Sequence, residues 1–138
     1  MECSQMILLD THVFLWLVTN DPKLGKETSQ LINEAVVQSK LIISAISFWE
    51  IAMLALKNRI TLPIATEEMR RETLQNGLQE IPLKGDIGIL AAHLIDFHAD
   101  PADRFIVATA IYLNATLLTV DQKILDWSGK LSRFPANK

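Results

Sequence analysis

Met6-Ile7-Leu8-Leu9-Asp10-Thr11-His12-Val13-Phe14-Leu15-Trp16-Leu17 begins with four apolar residues, reaches an acid, and continues with apolar residues at helical spacing. Met6 to Leu9 reads as a strand buried on both faces, and a helix from Thr11 to Val18 follows it directly. A strand with no polar face belongs in a parallel sheet covered by helices on both sides. The acid between the two elements sits where such a strand ends.

The same alternation runs through the rest of the chain. Helical spacing marks 26–39 after a Pro22/Gly25 loop, and Leu41-Ile42-Ile43 is a second strand. A helix is expected from Phe48 to Lys57, with Asn58 near its end. A charged helix from Glu67 to Leu74 follows the Pro63 break, and its acids and arginines suggest i,i+4 ion pairs on a solvated face. Gln79 to Ile81 reads as a third strand, 86–95 and 102–113 as helices, Thr116 to Thr119 as the fourth strand, and 122–127 as a short helix. Strand–helix alternation of this kind predicts an α/β fold, a mainly parallel sheet flanked by helices on both faces. Right-handed crossovers then line up the strand C-termini along one edge, where ligands of open α/β sheets bind.

The bulk numbers fit one domain over residues 1–138, with 1–5 expected as a frayed lead. The 49% hydrophobic and 21% charged fractions argue against disorder. One cysteine, Cys3, allows no internal disulfide and suits a reducing compartment. No apolar run approaches the ~20 residues of a membrane span, and the run before Asp10 is too short for a signal segment. The expectation is a cytoplasmic protein without a membrane. The net charge of −3 predicts weak non-specific nucleic-acid binding, because few cations are in excess to neutralise phosphates. Local basic groups remain, at Lys57 with Arg59 and at Lys123, Lys130, Arg133 and Lys138.

Four acids stand out: Asp10, Glu50, Asp103 and Asp121. Each has a structural explanation. Asp10 and Asp121 precede helices and suit N-caps. Ser47-x-x-Glu50 has the spacing of a capping box. Asp103 falls at the third position of a helix whose cap is Asp100 and whose first residue is Pro101. Taken together, the topology brings all four toward one edge. Clustered carboxylates repel and raise one another's pKa, and hard cations offset that charge. Oxygen ligands with no Cys or His among them favour Mg²⁺ or Mn²⁺. His12, His93 and His98 are too dispersed to form a zinc motif.

Four segments also carry a resemblance. Ile7-Leu8-Leu9-Asp10-Thr11-His12-Val13-Phe14-Leu15-Trp16-Leu17 is similar to the opening of PIN-domain proteins, particularly the VapC-like ribonuclease toxins of bacterial toxin–antitoxin pairs. Ile43-Ser44-Ala45-Ile46-Ser47-Phe48-Trp49-Glu50-Ile51-Ala52 resembles that family's second block. His98-Ala99-Asp100-Pro101-Ala102-Asp103-Arg104-Phe105-Ile106-Val107-Ala108-Thr109-Ala110 resembles the third, and Leu117-Leu118-Thr119-Val120-Asp121 the fourth. The blocks occur in family order. Ala102 departs from the pattern, since related toxins often carry an aromatic residue there.

The resemblance implies that Asp10, Glu50, Asp103 and Asp121 form an acidic metal site, with Thr11 or Thr119 helping to orient it. It implies metal-dependent hydrolysis of RNA phosphodiesters with one or two Mg²⁺ or Mn²⁺ ions; two would lie ~3.5–4 Å apart. It also implies a homodimer and a cognate antitoxin whose C-terminal segment lies in a groove near the acids. Arg104 adjoins the site and would contact a phosphate or pair with Asp100. Trp16, Trp49 and the Met53-Leu54-Leu56 run suit core or interface packing.

Two other classes compete. In a catalytically silent scaffold that binds RNA or a protein partner, the acids serve mainly as caps. A phosphatase with an aspartyl nucleophile would usually carry a second Asp two residues after the first, and His12 occupies that place. Nor do the five dispersed glycines form a phosphate loop.

Overall fold

The computed structural model describes residues 5–138. The expected lead at 1–5, and Cys3 with it, thus lies outside the described residues except for Gln5, whose Oε1 accepts from the Thr116 hydroxyl at 2.8 Å. The elements are β1 (Ile7–Leu9), α1 (Thr11–Val18), α2 (Lys26–Val37), β2 (Leu41–Ser44), α3 (Ala45–Leu56), α4 (Thr66–Gln75), β3 (Gln79–Ile81), α5 (Gly85–Ala92), α6 (Pro101–Leu113), β4 (Thr116–Thr119), α7 (Gln122–Leu125) and β5 (Arg133–Pro135).

The sheet order is β3-β2-β1-β4-β5, and all four pairings are parallel. β1 is the middle strand, with Leu9 opposite Ile43 on one side and Leu118 on the other. The chain builds outward from β1 through β2 and β3, then crosses back to β4 and β5. The reversal falls between β1 and β4, which is where crevices open above parallel sheets.

Alternation along the strands divides the core. Ile7, Leu9, Leu41, Ile43 and Leu118 face one side and pack with Phe14, Ile32, Ala35, Phe48, Ile51 and Met69 of α1–α4. Leu8, Ile42 and Leu117 face the other and pack with Ile106, Val107 and Ala110 of α6 and Ile124 of α7. α5 joins this second layer through Ile87 and Ala91 against Ala108. Both faces are therefore covered, as strands without a polar side require.

Several boundaries differ from the sequence reading. The second helix stops at Val37, and α5 ends at Ala92. β5 was not expected: Arg133-Phe134-Pro135 has no apolar run and contains proline. It forms because the chain returns beside β4, with Leu117 N–H donating to Ser132 O and Ala136 N–H donating to Thr119 O. Proline is tolerated there because β5 is an edge strand. On the opposite edge, Arg70 of α4 makes a two-pronged pair with Glu80 of β3, at 2.8 and 2.6 Å. Arg70 thus leaves its own helix to pair, while Arg71 pairs with Glu68 at i,i+3 rather than i,i+4.

α6 shows how local chemistry sets a helix. Asp100 Oδ1 accepts from Ala102 N–H at 3.0 Å, Pro101 occupies the first turn, and Asn114 ends the helix in the left-handed region at φ 52°. Leu8 is fully buried between β2 and β4. Leu8→Ala should therefore lose about 2–5 kcal/mol of stability, measured by urea unfolding, through lost burial and the cavity left behind.

Candidate metal centre

All four acids reach one place. Asp10, Glu50, Asp103 and Asp121, with His12, Asp100 and Val120, line a cavity of about 360 Å³ at the strand C-termini. Each acid arrives by a different route.

Asp10 follows β1 and is held to β4 by its backbone, which donates to Leu118 O at 3.0 Å. Asp10 is only 6% exposed. Oδ1 accepts from Thr11 N–H at 2.8 Å, so the expected N-cap is present, and Oδ2 accepts from the Thr119 hydroxyl at 2.6 Å. Thr119 Oγ1 in turn accepts from Asp121 N–H at 3.1 Å. One hydroxyl thereby ties the acids that follow β1 and β4. Asp121 also caps α7, accepting from Lys123 N–H at 2.9 Å.

Glu50 corrects the capping-box expectation. α3 starts at Ala45, three residues earlier than the sequence reading placed it, and its cap is Ser44, whose hydroxyl accepts from Ile46 N–H. Ser47 is therefore inside the helix, and Glu50 has no terminus to cap. Instead, the Thr11 hydroxyl donates to Glu50 Oε1 and lies 2.9 Å from Ser47 Oγ. With its proton given to Glu50, Thr11 accepts from Ser47. The two threonines singled out by the resemblance thus hold one acid each.

Asp103 lies in the first turn of α6, its side chain 13% exposed, beside a histidine that belongs to no zinc motif in the sequence. His98 Nε2 is 3.2 Å from Asp103 Oδ2. His98, Asp103 and Asp121 each offer an atom within 4.8 Å of the others. The neighbourhood is therefore not oxygen-only. Its signal was the five-residue step from His98 to Asp103 across a helix start, which is no recognised ligand spacing.

Arg104 also departs from expectation, since it makes no pair with Asp100 and is engaged by backbone carbonyls instead. Its guanidinium donates to the carbonyls of Ala91 at 2.8 Å, Phe97 at 3.1 Å and His98 at 3.1 Å, with longer contacts to Leu94. It fastens the loop that carries His98 to α6. Ala102, where an aromatic residue is common in relatives, is buried, and a cavity of about 200 Å³ lies beside it against Trp49, Met53 and Leu54.

Burial and crowding set the electrostatics. Asp103 is pushed up to about 8, first by burial and then by the charges of Asp10, Asp100, Asp121 and Glu50. Asp10 is raised by burial, against the opposing hydrogen bonds from Thr119 and Thr11. Glu50 is likewise raised by burial, opposed by Thr11. These three acids give up their protons less readily than free carboxyls do, and positive charge brought among them would oppose that shift.

Comparison with known proteins agrees with the fold and extends it. Residues 7–129 match the PIN domain. The chain belongs to the PIN-domain family. Among its relatives is ribonuclease VapC22 of Mycobacterium tuberculosis, 33% identical over 119 residues that cover 86% of this PIN-domain chain and 88% of that protein. Solved structures sharing the fold include VapBC-1 from nontypeable Haemophilus influenzae, with a TM-score of 0.66 at 21% identity, covering 96% of this chain and 99% of that one. VapBC2 from Rickettsia felis, bound to a DNA fragment from its promoter, gives 0.66 at 17% identity, covering 94% and 97%.

Two outcomes follow from this geometry. An acid whose folded pKa lies above its unfolded value stabilises the fold below the unfolded pKa and loses that contribution as pH rises through the folded one. The metal-free protein should therefore lose melting temperature between about pH 4 and pH 8 from Asp103, with Asp10 and Glu50 adding the same sign. Asp103→Asn should flatten that decline in a series of thermal melts. Thr119→Val, which strands the buried Asp10 oxygen, should cost about 1–3 kcal/mol by chemical denaturation.

Proposed function

We propose that this PIN-domain chain is a metal-dependent endoribonuclease, the toxin of a toxin–antitoxin pair. The observation that carries the reading is the convergence of Asp10, Glu50, Asp103 and Asp121 on one cavity at the β1/β4 reversal. The 33% identity to a protein named ribonuclease VapC22 supports the chemistry, and the VapBC complexes among the structural neighbours support the antitoxin.

The residues present fit a hard divalent cation. The cavity gathers carboxylate oxygens, and an acid raised to about 8 is one that a cation would deprotonate. Mg²⁺ or Mn²⁺ there would lower the pKa of water and stabilise charge developing on the phosphate oxygens. Asp10 and Asp103 are the proposed direct ligands. Glu50 ligates or positions the attacking water, and Asp121 completes the shell or holds a second ion. Capping does not compete with this role, because Asp121 gives its cap bond through one oxygen and keeps the other. Thr119 and Thr11 hold Asp10 and Glu50 in place, so little reorganisation is needed when substrate arrives.

The antitoxin's C-terminal segment would dock in an apolar cleft of about 410 Å³ between α1 and α4, lined by Phe14, Leu17, Val18, Ile64 and Met69. α1 carries Asp10 and Thr11 at one end and the cleft residues at the other. Its eight residues span about 12 Å, so a short extended segment reaches the acids with a basic side chain. A second copy of the chain would cover exposed apolar residues such as Trp49 and Leu56 on α3. Among the described residues no helix is long and apolar enough to cross a membrane.

The test is incubation of the purified, antitoxin-free protein with tRNAs and other structured RNAs, with Mg²⁺ or Mn²⁺ and with EDTA. Cuts that need metal and fall to background in a folded Asp103→Asn variant are expected. Equal cutting by both proteins would point to a contaminating nuclease, and no cutting by the folded wild type on any RNA would turn the reading toward a silent scaffold whose acids serve as caps.

A further inference from the structure

His98 is unlike the other two histidines. Its side chain is 22% exposed, its Nε2 is buried, and that nitrogen has no well-aligned hydrogen bond, only the 3.2 Å approach to Asp103 Oδ2. A buried polar nitrogen without a full partner costs about 1–3 kcal/mol, so its location needs a reason.

The surroundings hold the ring where it is. The imidazole stacks on Phe97 with centroids 4.5 Å apart and planes at 29°, and Phe97 is itself buried edge-on against Trp127 at 5.3 Å. The backbone on both sides of this stack is clasped by Arg104, which donates to the carbonyls of Phe97 and His98. Arg104 is adjacent to Asp103 on α6. The same turn of helix therefore presents the carboxylate and grips the loop that brings the imidazole to it. A surface histidine satisfied by solvent would need neither the stack nor the clasp.

We propose that His98 is a positioning residue of the acidic site, its Nε2–H engaging Asp103 Oδ2 and fixing how that carboxylate faces the cavity, with Arg104 and Phe97 holding the imidazole in register. The inference rests on the metal-site reading of Asp103 given above. Groups that donate a hydrogen bond to a metal-ligating carboxylate orient it and favour its ionised, ligating form, and their loss weakens metal binding without removing a ligand. Asp10 has Thr119 in this capacity and Glu50 has Thr11. His98 supplies the corresponding partner for Asp103.

The test is Mn²⁺ binding at fixed pH, read as free Mn²⁺ by electron paramagnetic resonance, for the full-length wild type, His98→Ala, His98→Phe and His98→Gln. Melting temperatures of the metal-free proteins are taken alongside. His98→Phe keeps the ring on Phe97 without a nitrogen, so it serves even if the alanine variant unfolds. Loss of the nitrogen should weaken Mn²⁺ binding by about 10–100-fold. His98→Gln, whose amide N–H occupies the place of Nε2–H but is a poor metal ligand, should restore binding close to wild type. Equal affinity in His98→Phe and wild type overturns the inference and leaves the metal site standing. Loss in His98→Phe that glutamine fails to rescue also overturns it, because the imidazole then acts as a ligand itself. A wild type that binds no Mn²⁺ overturns the metal-site reading and this inference together.

Discussion

A carboxylate at the end of the innermost strand, stripped of most of its water, is the constraint on which the rest of the site is built. Asp10 sits where β1 stops, between neighbours on both sides, and little of it meets solvent. Its partners come from the protein: the backbone of Thr11 and the hydroxyl of Thr119. Because Thr119 also accepts from the backbone of Asp121, the turn after β4 is positioned by the same contact that satisfies Asp10. Sheet pairing, side-chain hydroxyl and helix cap form one connected arrangement, in which moving any member strands a buried polar group.

Around this centre the fold accumulates like charge. Burial raises Asp10, Glu50 and Asp103, and the acids raise Asp103 further by crowding it. Repulsion of this kind opposes folding, and the apolar layers on the two sheet faces offset it. The acids gather at the carboxyl ends of the strands, where ligands of open α/β sheets bind.

The fold was legible because its signals are local. The short apolar runs at Ile7 to Leu9, Ile42 and Leu117 suit strands buried on both sides, as they prove to be, and Asp10 and Asp121 follow from where such strands end. Asp10 and Asp121 are legible for the same reason, whereas Glu50 and Asp103 lie within helices and stand out through the resemblance carried by the segments around them. What escaped depended on contacts distant in sequence. Ser47 and Glu50 have the spacing of a capping box, yet the helix starts earlier because Ser44 offers its hydroxyl to Ile46 first, and Glu50 then turns to Thr11, 39 residues away. β5 has no strand signal of its own, since it is held by the ladder offered by β4. His98 looked like an isolated histidine because its loop is placed by Arg104, and a guanidinium tied to backbone carbonyls leaves no mark in the pattern of side chains.

The two ends of the sheet have a bearing on how such a molecule meets others. β3 and β5 are three residues long. β5 ends in a proline that cannot donate to a further strand, and β3 has Glu80 engaged by Arg70. Neither border offers a long, flat row of free backbone groups. Growth of the sheet by annexing a strand from another chain is disfavoured at both borders, so association falls to the helical flanks. Crowding many copies together should accordingly yield discrete complexes rather than ribbons.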